Sequence, residues 1–258
     1  MKVKISMLLL IVFGLLQGCS KDTNSENQED TINVNANKQA TGSSSNDLLS
    51  DDTFTRMEIE LAYVEGFEPT QQAINNFVSF LEARTYKPDG IVVEKKAIPS
   101  SGKTTFTIDE IADIENTHRT NYNNGNTIAV WALFVDGESD KNDDDNVVLG
   151  SAYWNTSFVI YEETIREFSN SPTEPNRSVL ETTVITHEFG HILGLTNLGA
   201  ALQSDHEDEE HPKHCNVENC LMYWEAESGS AIGNVVNSGS APQLDAQCIA
   251  DLQANGGK

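Results

Sequence analysis

Apolar and polar residues alternate along "RMEIELAYV", Arg56 to Val64, the period-2 pattern of a strand with one buried face. The period changes over "PTQQAINNFVSFLEART", where Ile74, Phe77, Val78 and Leu81 fall on one helical face. "GIVVEKKAI", Gly90 to Ile98, returns to a strand pattern. Thr107 and Glu110 then stand in capping-box spacing, and Ile108, Ile111 and Ala112 follow helical period. "NTIAVWALFVDG" and "GSAYWNTSFVIY" read as two further strands separated by an acidic loop. Ser178 and Glu181 repeat the capping-box spacing and open a helix predicted from about Val179 to Leu193. Gly194 is placed to end it in the left-handed conformation that glycine tolerates. Roughly 45 loop-like residues separate it from "PQLDAQCIADLQ", where Leu244, Cys248 and Leu252 resume helical period. The pattern predicts an α+β or α/β fold: an N-terminal lobe of sheet and helices, one long helix, and a small irregular C-terminal lobe ending in a helix.

The start of the chain reads differently. "MKVK" is basic, and "ISMLLLIVFGLL" is apolar but shorter than the about 20 residues that span a bilayer. "LQGC", Leu16 to Cys19, resembles the lipobox of bacterial lipoproteins. That resemblance implies a signal peptide over residues 1–18, lipid on Cys19, and a location in the bacterial cell envelope. Residues 20–50 are rich in Ser, Asn, Asp and Thr, with few apolar residues and no period. They read as a flexible tether, so that residues 19–52 link the lipid to a domain at 53–258, with an upper lobe at about 53–195 and a lower lobe at about 196–258.

Sixteen basic against forty acidic side chains give a net charge of −24, which excludes electrostatic binding of nucleic acid and suits a soluble surface domain, expected to be a monomer. With Cys19 assigned to lipid, three cysteines remain: Cys215, Cys220 and Cys248. An odd number outside the cytosol leaves one disulfide plus a free thiol, or a metal site completed by another residue type.

Three short motifs carry less than they suggest. "SSGKTT" lacks the first glycine of a phosphate loop, since Ala97 stands there, and reads as a turn between strand and helix. "DGESDKNDDDN" lacks the glycine and terminal glutamate of an EF-hand and reads as a solvated loop. "DHEDEE", Asp205 to Glu210, is solvated charge, notable only for lying just beyond the long helix.

The long helix carries "THEFGHILGLTN". His187 and His191 are four apart and share a face, so both imidazoles can reach one ion. Glu188 lies about 100° round the helix and flanks the ion as a general base for the attacking water. A catalytic zinc takes three protein ligands and keeps a position open. The third ligand is not in this stretch, for Asn197 is a carboxamide.

"HEFGHILG" resembles the metzincin metallopeptidases, whose motif runs HExxHxxGxx(H/D). The later segment "HCNVENCLMYW" is similar to the HCxxxxCxM segment that follows the glycine in archaemetzincins. The resemblance covers roughly Ser178 to Leu252, with an insertion between Leu195 and His214. It implies His214 as third zinc ligand and Met222 as the methionine of the Met-turn. It also implies Cys215 and Cys220 as ligands of a second, structural zinc. The final CxxC of that pattern is "CIAD" here, with Asp251 in the last slot. A carboxylate ligand there, or a disulfide from Cys248 to Cys215 or Cys220, both stay open. His206, His211 and Asp205 are rivals of His214 within the insertion. Glu209, Glu210, Glu218 and Glu225 could serve a glutamate-type site, but Gly194 and Met222 point to the metzincin side.

The expectation is therefore a metzincin-like zinc endopeptidase on a lipid anchor. His187, His191 and His214 would hold catalytic zinc, and Glu188 would act as base. By analogy with the metzincin upper lobe, Gly150 and Ala152 sit on an edge strand that pairs with an extended protein or peptide substrate. The rival is a surface-binding lipoprotein that holds zinc without catalysis.

Overall fold

The computed structural model describes residues 32–143, 146–171, 174–228 and 239–258. Signal segment, Cys19 and the first part of the expected tether lie outside them, as does part of the acidic loop.

Strand β1 (Arg56–Val64) sits between two parallel partners, β2 (Ile91–Ile98) and β4 (Thr127–Phe134). The sheet continues through β7 (Ser157–Ile160), parallel to β4, to an antiparallel edge strand, β6 (Gly150–Trp154). The sheet is mixed, in the order β2-β1-β4-β7-β6. A short parallel pair, β3 (Thr105–Phe106) and β5 (Glu138–Ser139), lies beside it.

The alternation in β1 divides its side chains as expected. Met57, Ile59 and Leu61 join one core cluster, and Ala62 and Val64 the other. β4 is apolar on both sides: Ile128, Val130 and Phe134 enter the first cluster, Trp131 and Leu133 the second. A central strand buried on both faces needs a continuous apolar run. On the first face lie α2 (Gln71–Arg84) and α5 (Arg177–Ile192), meeting through edge-to-face rings of Phe77, Phe158 and Phe189. On the second lies α3 (Ile108–His118), whose capping box of Thr107 and Glu110 is formed as its sequence predicts. A short α4 (Glu162–Glu167) precedes α5, and α6 (Ala246–Ala254) closes the chain.

Three expectations change. "GSAYWNTSFVIY" is a hairpin, not one strand: β6 and β7 reverse at Asn155 and Thr156, both fully buried. The turn hides because two polar residues, buried by neighbours, look like any other pair in the pattern.

The helix carrying the motif begins at Arg177, capped by Asn176, whose side chain accepts from the Ser178 amide. Glu181 is drawn elsewhere. It accepts from the Thr70 amide at 2.9 Å and pairs with Arg177 at 2.8 Å.

The tether is the third correction, for residues 33–50 are packed against the domain. A 3-10 turn (Val34–Asn37) buries Asn37, which donates to Asn123, the Ala129 carbonyl and Thr156. Asn155 in the hairpin turn holds the segment in return, bonding Gln39 in both directions and donating to Ser44. Then α1 (Ser45–Leu49) sinks Leu48 and Leu49 fully into the core. Ser45 Oγ donates to the Leu193 carbonyl at the end of α5. The buried Lys87 ammonium donates to the Asp47 carbonyl within this helix and to the Phe54 carbonyl beyond it. Few apolar residues suffice here because polar bonds to buried carbonyls and amides supply the rest.

The hairpin is also fixed from the other face by a buried ion pair. Arg119 donates to Glu115 at 2.7 Å, with both side chains wholly inaccessible. Glu115 also accepts from Ser157 and from the Tyr153 hydroxyl, and Arg119 donates to the Ala129 carbonyl. Removing one partner leaves a buried charge without its counter-ion. Arg119→Ala is expected to cost about 3–5 kcal/mol, read as a fall in unfolding midpoint in denaturant. An unchanged midpoint would mean that Glu115 finds another way to be satisfied.

Candidate metal centre

Along α5 every residue from Leu180 to Ile192 is buried, so the motif is a core element as well as a chemical one. Its histidines face the C-terminal lobe. His187 Nδ1 lies 2.8 Å from the Leu221 carbonyl. A ring nitrogen against a carbonyl carries the hydrogen, which leaves Nε2 with its lone pair for an ion. Gly190 lies between the two histidines, and a side chain there would collide with Met222 Sδ. Gly194, with φ +83°, ends the helix just beyond Leu193 in the left-handed conformation.

The inserted loop returns His214 to this face. Its carbonyl accepts from Asp208 and its amide donates to His211. Glu207 braces the base of the loop, accepting from the Lys213 amide and from Asn197 Nδ2. Asn197 itself has φ +69° and begins the loop.

The other rivals are elsewhere. His211 stacks on Trp224 and pairs with Asp208. His206 is fully buried, bonded to Asp251 at 2.7 Å. Asp205 is exposed and belongs to neither of the two ligand clusters among the described residues.

Four side chains converge: His187, His191, His214 and Glu227. The Nε2 atoms of His187 and His191 are 3.1 Å apart. Glu227 Oε1 lies 3.3 Å from His214 Nε2, and its Oε2 lies 3.6 and 3.8 Å from those of His187 and His191. Ligands about 2.0–2.1 Å from a tetrahedral zinc stand roughly 3.3–3.4 Å from one another. The spacing fits such an ion. His214 Nε2 has no aligned hydrogen bond despite its nearness to Glu227, as expected of groups aimed at a common centre.

Glu227 is the residue that sequence reasoning missed. It ends a 3-10 turn (Trp224–Glu227) five positions after Met222 and two beyond Glu225. Its only signal was a carboxylate just behind the segment bearing Met222.

Burial works against charge on Glu227, yet the three histidines together hold its carboxyl well below the usual carboxylate range. Burial pushes His191 down to about 4, so its ring is neutral and able to ligate at physiological pH.

Glu188 is fully buried beside this cluster, and neither carboxylate oxygen has a hydrogen-bond partner. The Ala152 amide faces it without closing a well-aligned bond. Burial first, and the charge of Glu227 second, raise its pKa well above the ordinary value. It opens onto a cavity of about 180 Å³ lined also by Ser151, Ala152, His214 and Glu227. Thr41, from the N-terminal segment, forms part of the wall.

A second cluster lies beneath. Cys215, Cys220 and Cys248 converge with Asp245, and all three are free thiols rather than a disulfide. Asp251, in the last slot of the CxxC pattern, binds His206 and the Gln203 amide instead of the sulfurs. Asp245, the N-cap of α6, takes its place, with Oδ2 3.4 Å from Cys215 Sγ. Hydrogen bonds from Cys215 and Cys248 bring Cys220 down to about 3, and the same sharing pushes Cys215 up to about 12 and Cys248 up as well. The three sulfurs can share one thiolate between them, whereas a divalent cation would let all three ionise.

No protein-family model matches this chain, and no curated protein matches it in sequence. Its fold is shared with solved structures. Archaemetzincin from Methanopyrus kandleri matches with a TM-score of 0.52 and 18% identity, over 78% of this chain and 96% of that chain. A zinc-dependent peptidase from Methanocorpusculum labreanum (strain Z) matches with a TM-score of 0.46 and 14% identity, over 75% of this chain and 99% of that chain. The first likeness defines the class of fold: a mixed α/β, archaemetzincin-like zincin.

Gly150 keeps the edge strand close to Glu188. A Cβ there would lie 2.8 Å from both Glu188 Cγ and Val184 Cγ1. Gly150→Ala is therefore expected to cost about 1–3 kcal/mol, the usual range for overpacking. Thermal unfolding would show the loss and elemental analysis an unchanged metal content; a variant as stable as the parent would mean that β6 can move outward freely.

Proposed function

We propose that the protein is a zinc-dependent endopeptidase. The observation that carries this is the meeting of three imidazole Nε2 atoms beside a buried carboxylate with two unpaired oxygens. When bound, zinc supplies the Lewis acidity that polarises the scissile carbonyl and lowers the pKa of water.

His187, His191 and His214 would hold the ion, with Met222 packed behind the first two. Glu188 would take the proton from the attacking water and return it to the leaving amine. Gly150 and Ala152 lie on the edge strand β6, and Ala152 borders the cavity. An extended peptide would pair along that edge. The resemblance at Cys19 supports a lipid-anchored protein of the bacterial envelope. The acidic composition gives no support to nucleic acid as a partner.

A second reading is a zinc-holding surface lipoprotein without catalysis. Glu227 favours it, since four protein ligands make a closed site of the structural kind. The two readings separate on hydrolysis of a mixed peptide library by the zinc-loaded protein and by Glu188→Ala with equal zinc. The peptidase reading expects a fall of about 10²–10⁴ in rate on losing the base. Equal, negligible rates would favour the binding protein.

The cysteine cluster supports a second, structural zinc held by Cys215, Cys220, Cys248 and Asp245. Purified protein is then expected to carry two zinc ions, and Cys220→Ser one, with a lowered unfolding temperature because binding energy of such ions is folding energy. A single ion in both proteins would refute the second site.

A further inference from the structure

Glu227 has no part in the peptidase chemistry described, yet it sits where that chemistry needs space. Its two oxygens straddle the cluster, one toward His214 and the other toward His187 and His191. With three histidines on an ion, this carboxylate would take the fourth position, the one a catalytic site keeps for water and substrate. We propose that Glu227 is a fourth protein ligand of the resting site, a built-in plug that holds the enzyme latent until its side chain swings away. This rests on the zinc-peptidase reading of the same site.

The surroundings fit a plug that moves by itself. The Glu227 main chain is pinned: its carbonyl accepts from the Leu149 amide at 3.0 Å, and Ser228 bridges Val148. Both contacts are made by the segment that leads into β6. Release of the turn would strip this support from the edge strand, so opening by backbone movement is costly. The side chain is a different matter. It is 32% exposed, against 0, 8 and 11% for His187, His191 and His214. Of the four it has the open path to solvent, and it borders the same cavity as Ser151 and Ala152. Rotation about its own side-chain bonds removes the carboxylate and leaves β6 intact. A peptide laid along that edge would bring a carbonyl to the corner Glu227 holds, so substrate competes directly with the plug. Latency then needs no separate inhibitory segment.

The test uses the full chain and reads the metal as well as the reaction. Zinc affinity would be measured by chelator competition for wild type, Glu227→Gln and Glu227→Ala. The visible spectrum of cobalt placed in the histidine site would report ligand number. Both variants are expected to bind zinc at least about tenfold more weakly, the low end of what a lost metal-supporting residue costs. Their cobalt spectra should shift together, and peptide hydrolysis per bound zinc should rise at least about tenfold over wild type, a lowering of the barrier by about 1.4 kcal/mol. Unchanged zinc affinity with an unchanged cobalt spectrum would overturn the ligand assignment, whether or not any form cleaves peptides. Weaker binding with slower hydrolysis would overturn the plug, for Glu227 would then belong to the working site. Weaker binding and a shifted spectrum with no hydrolysis by any form would uphold the fourth ligand and refute the peptidase reading instead.

Discussion

The hydrogen bond from His187 to the Leu221 carbonyl joins the two lobes at the point where chemistry is expected. It sets which nitrogen of the ring is free, and it fixes the distance between α5 and the segment that follows His214. Leu221 lies between Cys220 and Met222. The Met222 amide faces Cys220 Sγ, and the Met222 carbonyl accepts from the Cys215 amide. The cysteine cluster and the histidine cluster are therefore two ends of one short rigid stretch. An ion among the sulfurs would stiffen the carbonyl that orients the first histidine, which is how an outer group tunes a metal site it never touches.

At its other end α5 is located by charge. Glu181 receives the Thr70 amide at the start of α2, while Arg177 spans Glu181 and Glu162. Burial and the nearby Glu181 push Glu162 up to about 8, against the opposing pull of Arg177 and Arg166. Such buried ionic sets add little net stability but penalise any other seating of the helix. A helix whose histidines must meet partners from a distant loop has use for that precision. Phe77 and Phe189 alone would tolerate a small slide of α5 along α2; the polar contacts at Thr70 and Leu221 do not.

Much of this was legible in the sequence because period and chemistry agreed. The strands at 56–64, 91–98 and 127–134 alternate or run apolar as their burial demands, and His187, Glu188 and His191 announce themselves by spacing. His214 was reachable through the cysteines and methionine beside it. What escaped was held by polar contacts between distant residues. Asn37 and Asn155 look like solvent-facing amides until each is seen satisfying buried partners across more than a hundred residues. Asp245 and Asp251 both stand in or beside α6, and only packing shows that the first turns to the sulfurs and the second to His206. Glu227 is one of many acidic residues in a strongly acidic chain, so nothing local distinguishes it.

The packed N-terminal segment bears on the order of assembly. Ser45 reaches Leu193 across 148 residues of chain, and Asn46 reaches the Asn255 carbonyl across 209. Contacts that close loops of this length carry a high entropic cost before they contribute anything, so they form late. The residues synthesised early are thus among the last to find their places, when α5 has ended and α6 is in position. Thr41 belongs to that segment and to the wall of the cavity. The cleft is complete only once residues 41–49 have met α5 and α6, which ties its final shape to the finishing of the whole domain.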